Sequence, residues 1–298
     1  NIRCIEKGQP EYPEKLKAYD HMPEKLYIKG RLPDPERPCA AVVGARMCSP
    51  YGRIQAFQYA KTLAEAGVQI ISGMATGIDS EGHRGALAGG MPTWAVLGSG
   101  PDVCYPATNR NLYERILREK GGIISEYPPG TQPRNYHFPA RNRIIAGLSR
   151  GILVTEAPEK SGALITAKYA LENDRDVFAV PRNITDTNSL GTNKIIQQGA
   201  KLINGAADII SEYPYAEKVI PKKVKSEPIQ KTVDDSKYSK LNEFEKQIID
   251  ILKKSDMQID ELSRELKRNV SEINTKLIML EVKGLVKKLP GSKYQLKL

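Results

Sequence analysis

The chain has 298 residues, a length that predicts about two domains, one of them able to bury a large core. With 40% hydrophobic and 27% charged residues it reads as a soluble globular protein. No apolar run approaches the ~20 residues of a membrane span, so a helical membrane protein is excluded. The net charge of +10 is spread along the chain and gives only weak support for a polyanionic partner.

Four cysteines (Cys4, Cys39, Cys48 and Cys104) stand singly, and there are three histidines, His21, His83 and His137. Without CxxC or His-rich spacing, this argues for reduced thiols and against a disulfide scaffold, a zinc site or other metal chemistry. The opening residues NIRCIEKGQPEYP are too polar for a signal peptide, so a cytoplasmic location is expected.

Residues 1–37 are rich in proline and charge, with short apolar anchors such as Leu26, Tyr27 and Ile28. They are expected to pack on the main domain as a lead-in. From Pro38 the pattern alternates. Short apolar runs at 39–44, 68–73, 93–98, 122–127, 151–157, 176–181 and 200–204 read as buried parallel strands. Helical patterns such as 51–67 and 161–174 lie between them. This alternation predicts a doubly wound, mostly parallel α/β sheet over 38–212. Residues 213–240 have no period and carry three prolines, which reads as a linker. Residues 241–298 read as three helices, the third capped by Ser271 and ended by Gly284, followed by a hairpin around Pro290-Gly291. That spacing suggests a winged helix. Its third helix mixes Glu272 and Glu281 with Lys276 and Lys283, which makes it a poor groove reader.

Doubly wound sheets bind ligands outside the carboxyl ends of their strands. Four such ends carry Gly44-Ala45-Arg46, Ser72-Gly73 running to Thr76-Gly77, Gly98-Ser99-Gly100, and Glu156 leading to Ser161-Gly162. Glycine admits a phosphate close to the backbone, and a helix N-terminus offers it N–H groups. There is no GxGxxG and no acid at the ribose-binding distance, so NAD is disfavoured and no cofactor is expected. Between Tyr127 and Thr155 stand four arginines (Arg134, Arg141, Arg143, Arg150) and no acid, interleaved with Tyr136, His137 and Phe138. Guanidiniums pair with phosphates and rings stack on bases, which is the chemistry of a single-strand site. Arg141 and Arg143 lie two apart on a helix and point to different faces, so one of them is expected to tie the helix to Glu126 or Glu156.

The ordered set VVGARMCSPYG, SGMATGIDSEGH, GSGPDVCYPATNRNL, SEYPPGTQPRNYHFPARNRIIAGLSR, TEAPEKSGALITAKYALENDRDVFAVP and SLGTNKIIQQGAKLI resembles the DNA-processing protein A (DprA, or Smf) family from about Tyr12 to Glu212. The resemblance implies an extended Rossmann-like fold with a small C-terminal winged helix. It also implies sequence-independent binding of single-stranded DNA, loading of the RecA recombinase during natural transformation, protection of the incoming strand, homodimers and no catalysis. It places DNA contacts on Arg46, Arg134, Phe138, Arg141, Asn142, Arg143, Ser161, Gly162 and Thr166. The glycine-bearing strand end adds Gly73, Thr76 and Gly77 as expected contacts, and Lys168 in the helix after the SGALIT turn is expected to join them. The dimer-forming segment falls on Lys194 to Ile203, with Lys194, Ile195, Leu202 and Ile203 as contacts. Those isoleucines and Leu202 could equally be core.

Three departures from the family pattern stand out. Ala107 replaces a basic residue, whose charge Arg110 is expected to supply. Pro181-Arg182 replaces a Pro-Gly turn, and the N-terminal helical domain of several members is not in this sequence, whether by evolution or by truncation. The competing reading is a nucleoside-monophosphate phosphoribohydrolase, whose PGGxGTxxE turn carries a catalytic glutamate. Here the turn is EKSGALITAKYAL, with no glutamate until Glu172, so hydrolysis lacks its acid–base group. A transcription regulator acting through the winged helix is a third possibility.

Overall fold

The computed structural model describes residues 1–213, 241–254, 257–266, 268–289 and 293–296. The chain folds as two compact units, Asn1–Ile220 and Pro221–Leu298. The first unit runs β1 (Ile2–Glu6), α1 (Glu14–Lys17), β2 (Lys25–Gly30), β3 (Cys39–Val43), α2 (Pro50–Glu65), β4 (Gln69–Ser72), α3 (Ile78–Ala88) and β5 (Thr93–Leu97). It continues with α4 (Arg110–Arg118), β6 (Gly122–Ser125), α5 (His137–Leu148), β7 (Gly151–Val154), α6 (Gly162–Glu172), β8 (Asp176–Ala179), α7 (Leu190–Gln197), β9 (Lys201–Leu202) and α8 (Ala207–Ile210).

The strands form one sheet in the order β1-β2-β6-β5-β4-β3-β7-β8-β9. The run from β6 to β9 is parallel throughout, and β2 joins it antiparallel to β6. The winding starts at β3, proceeds outward to β6, and then returns to place β7 on the other side of β3. The switch point therefore lies between β3 and β7, where a doubly wound sheet opens its binding crevice.

Both faces of the sheet are covered, which is why its inner strands are largely apolar. Successive side chains of β3 leave on opposite faces. Ala41 and Val43 pack with Ile144 and Ile145 of α5 and Ala163 and Ala167 of α6. Ala40 and Val42 pack with Ala56, Ala60 and Leu63 of α2 and Ile78 of α3. Each fully buried aliphatic side chain contributes about 1.5–3 kcal/mol. The α2 helix starts where Ser49 Oγ accepts from the Gly52 N–H at 3.0 Å, with Pro50 in the first turn.

The lead-in is more structured than its sequence reads. Its β1 and β2 extend the sheet, and Ile5, Tyr12, Leu16, Leu26 and Ile28 enter the core. Most of the linker expected over 213–240 lies outside the described residues, but Tyr213 is buried in the core.

The second unit contains α9 (Glu243–Lys254), β10 (Met257–Gln258), α10 (Ile259–Leu266), α11 (Val270–Val282), β11 (Val286–Leu289) and β12 (Lys293–Leu296). The strands pair as β10-β12-β11, completing a winged helix whose core includes Ile248, Leu252, Leu262, Ile273, Leu277 and Tyr294. Asn269, not Ser271, caps α11: its Oδ1 accepts from the Ser271 and Glu272 amides at 2.7 and 3.2 Å. Gly284, at φ 71°, follows its C-cap Lys283. The expected turn at Pro290-Gly291 lies outside the described residues. Among the described residues no helix is long and apolar enough to cross a membrane.

Candidate nucleic-acid interface

The switch point holds a cleft of ≈ 500 Å³. Its lining comes from the segment after β3 (Gly44–Met47), the first turns of α5 (Phe138, Arg141, Asn142) and the turn into α6 (Lys160–Ala163, with Thr166). A smaller hollow of ≈ 100 Å³ shares Arg46, Phe138 and Arg141 with it and adds Gly73, Thr76 and Tyr105. Another cavity, of ≈ 550 Å³, opens at the amino end of β3 among Tyr12, Leu32, Cys39 and Leu148. There Arg3 is paired with Glu11 at 3.1 Å, so that cavity offers no comparable free guanidinium.

Arg46 is exposed, has no ion-pair partner among the described residues, and sets its guanidinium carbon 5.3 Å from the Phe138 ring centroid. Phe138 is half-buried and stacks on Tyr105 at 5.3 Å. The ring comes this close to the sheet because Gly98 has no side chain, where a Cβ would meet Phe138 at 2.9 Å. The carbonyl of Gly98 meets His137 Nδ1 at 3.0 Å, and Tyr127 stacks on His137 at 3.9 Å. These contacts fix the start of α5 and present Phe138 to the cleft.

Arg141 forms the floor. It is 4% exposed and donates Nη1 to the carbonyls of Gly73 (2.7 Å) and Val96, and Nε to Asn142 Oδ1 at 3.2 Å. Asn142 in turn donates to the Gly162 carbonyl at 3.1 Å, so α5 holds the first turn of α6 in place. Burial pulls the Arg141 guanidinium down to about 10, which leaves it cationic at neutral pH. Beside it, burial pushes Asp79 up, opposed by the Arg141 charge and by hydrogen bonds from the Ala75 and Gly73 amides.

Several expected contacts take other roles. Arg143 is a structural tie: Nη1 and Nη2 grip Glu126 at 2.9 and 2.5 Å and Nε reaches the His21 carbonyl, so its charge is spent away from the cleft. The Gly73 amide is not a free donor, because it serves Asp79. Gly77 is packed against the Ala45 and Arg46 backbone. Lys168 lies outside the cleft lining and pairs with Glu172 at 3.6 Å. Arg134 is exposed beside the cleft with no ion-pair partner among the described residues; it donates to the Tyr136 hydroxyl at 2.9 Å, and its neighbour Asn135 lines the cleft. Arg110, expected to make up for Ala107, pairs with Glu114 at 3.9 Å and does not line the cleft. Ile195 and Ile203 are core residues, whereas Leu202 is 43% exposed on β9 and Lys194 pairs with Glu159 at 3.5 Å.

Sequence reasoning missed Lys160, Asn135, Tyr105 and Asn188, and it missed Asp79 as a lining residue. Only Lys160, directly ahead of the SGALIT turn, carried a local signal. It also missed what the Arg182 charge does. That guanidinium pairs with Glu156 and Asp186 and lies 5.0 Å over the Tyr51 ring. Glu156, wholly buried, also accepts from the Ser49 amide and hydroxyl and from Asn188. This network joins α2 to the segments after β7 and β8 along the cleft wall.

Residues 3–214 match the sequence model of the DNA recombination-mediator protein A family, and residues 235–292 match that of the DprA winged helix domain. This chain belongs to the DNA recombination-mediator protein A family. Among relatives of the family, it is 45% identical over 204 residues to DNA processing protein DprA of Streptococcus pneumoniae, covering 68% of this chain and 72% of that protein. It is 34% identical over 297 residues to Protein Smf of Escherichia coli, covering 100% and 78%. The crystal structure of DNA processing protein A from Streptococcus pneumoniae superimposes with a TM-score of 0.67 at 42% identity, over 71% of this chain and 74% of that one. A structure of DNA processing protein A from Helicobacter pylori, described for its single-stranded DNA binding mode, superimposes at 0.62 with 27% identity, over 71% and 94%. The family match spans every element that builds the cleft.

Proposed function

We propose that this chain binds single-stranded DNA in the cleft at the switch point, without catalysis, and acts in the DNA processing of natural transformation. There it loads the RecA recombinase onto incoming strands and protects them. The observation that carries this reading is the Arg46–Phe138 pair: a free guanidinium and a half-buried ring stand together at the mouth of a ≈ 500 Å³ cleft floored by a second guanidinium. The charges take phosphates, and the ring takes a base that is splayed out of its stack. Bases already stacked in a duplex are not available to it.

Thr76, Arg141, Asn142, Ser161, Gly162 and Thr166 complete the site, Arg141 and Asn142 by holding its floor. The protein pairs with a second copy through α7 and the outer strand β9, with Leu202 as the apolar contact and Lys194 at the rim. The Asp79 Oδ2 is taken up by the Gly73 and Ala75 amides, which argues against its use as an acid or base. The test is a mobility shift of the full chain with single-stranded and double-stranded oligonucleotides of one sequence. Preferential retention of the single strand is expected. Equal affinity for duplex, or release of free base from nucleoside monophosphates, would replace this reading.

A further inference from the structure

Lys160 precedes α6 and lines the cleft. Its side chain is exposed and has no ion-pair or hydrogen-bond partner among the described residues. Its neighbours are engaged: Glu159 by Lys194, Glu156 by Arg182, Glu172 by Lys168. Of the three cations in the lining, Arg141 is buried in the floor, so Arg46 and Lys160 are the two with free charge.

A second observation points to an anion at the same place. Thr166 is 1% exposed and lines the cleft, yet its hydroxyl has no hydrogen-bond partner among the described residues. The Gly162 amide opens α6 and is likewise unpaired, while Ser161 Oγ takes the Ala163 amide at 3.2 Å. A Cβ built on Gly162 meets nothing within 4 Å, so the turn into α6 is open at that residue. One mobile cation, one hydroxyl and one helix-end N–H make a seat for a phosphate oxygen.

We infer that Lys160, with Thr166 and the Gly162 amide, is a second phosphate seat, distinct from the one at Arg46. Arg46 follows β3 and Lys160 follows β7, the two strands that flank the switch point. The backbone of one strand crosses the cleft with successive phosphates on these two cations and a base against Phe138. The inference rests on the cleft being the single-strand site.

The test is a salt titration of the full chain on poly-dT, comparing wild type with Lys160→Gln, Lys160→Arg, Arg46→Ala and the double variant Arg46→Ala/Lys160→Gln. Each lost phosphate contact flattens the slope of log K against log salt by about 0.7. For Lys160→Gln the loss of affinity should therefore shrink by roughly 2.5-fold between 50 and 200 mM salt. The double variant should flatten the slope by about 1.4, Lys160→Arg should keep the wild-type slope, and the melting temperatures should be equal. A wild-type slope in Lys160→Gln alongside a flattened slope in Arg46→Ala overturns the second seat and leaves the site standing. Absence of single-strand binding by wild type overturns the functional reading itself.

Discussion

Arg46 stands over the face of Phe138, guanidinium carbon to ring centroid 5.3 Å, and Tyr105 stacks on the same ring at 5.3 Å. A cation–π contact at an exposed site contributes about 0.5–1 kcal/mol. That is enough to hold both groups at the cleft mouth and weak enough to yield when a base slides in. The charge and the ring should fail differently when removed.

Phe138→Ala should weaken binding to poly-dT by about 1–3 kcal/mol with the salt slope unchanged, because stacking releases no counterions. Arg46→Ala should weaken binding and flatten the slope by about 0.7. Fluorescence anisotropy over a salt series separates the two. Equal slopes in both variants would mean that the guanidinium does not meet a phosphate.

Glu156 is the buried hub of the cleft wall, with Arg182, Ser49 and Asn188 all donating to it. Glu156→Ala strands the Arg182 charge in a site where its side chain is 7% exposed. Removing one partner of such a pair destabilises by about 3–5 kcal/mol. Chemical denaturation of the full chain checks this, and a loss below about 1 kcal/mol would show that Asp186 alone holds Arg182.

The strands from β3 to β8 were legible because each is a short, largely apolar run bounded by turn residues, and burial on both faces favours that pattern. β1 and β2 were not, because neither is buried on both faces. In KLYIKG, Leu26 and Ile28 enter the core while Lys25 and Lys29 alternate with them. β10 is two residues long and exists only through pairing with β12. At the site, Arg46 and Phe138 were legible because charge and ring stood in motifs at strand ends. The split between Arg141 and Arg143 was half legible: their spacing put them on different faces. Which carboxylate would take Arg143, and that Arg141 would spend Nη1 on two carbonyls, depends on neighbours up to 68 residues away.

His83 predicts a pH dependence of stability. It is wholly buried, and Thr93 donates its one hydroxyl proton to the Ile70 carbonyl at 2.7 Å, so the proton between Thr93 and His83 sits on Nδ1. Nε2 is left as a bare, unpaired acceptor. Burial pushes the imidazole down to about 3 from an ordinary 6.5. Below pH 6.5 the unfolded chain binds a proton that the folded chain refuses, so stability falls by about 1.4 kcal/mol per pH unit until pH nears 3. The unfolding free energy of wild type minus that of His83→Leu should fall by that amount per pH unit below pH 6.5, measured between pH 7 and 4. Parallel curves would show that other groups carry the acid sensitivity.

Gly77 ties stability to the site. Its φ is +78°, and a Cβ there would meet the Ala45 carbonyl oxygen at 2.3 Å and the Arg46 carbonyl oxygen at 2.5 Å. Both atoms are backbone, so no side-chain rotation relieves the clash. Gly77→Ala costs about 1–3 kcal/mol for the positive-φ conformation alone, and the clash pushes on the segment that carries Arg46. It should therefore lose both stability and affinity for single-stranded DNA. Gly162→Ala is the control for stability alone, because its amide belongs to the proposed phosphate seat: its Cβ enters open space, and alanine in the first turn suits the helix. It should leave the melting temperature unchanged or slightly raised. Paired thermal melts and anisotropy titrations decide the point, and a Gly77→Ala protein with wild-type affinity would show that Arg46 binds through its long side chain whatever its backbone does.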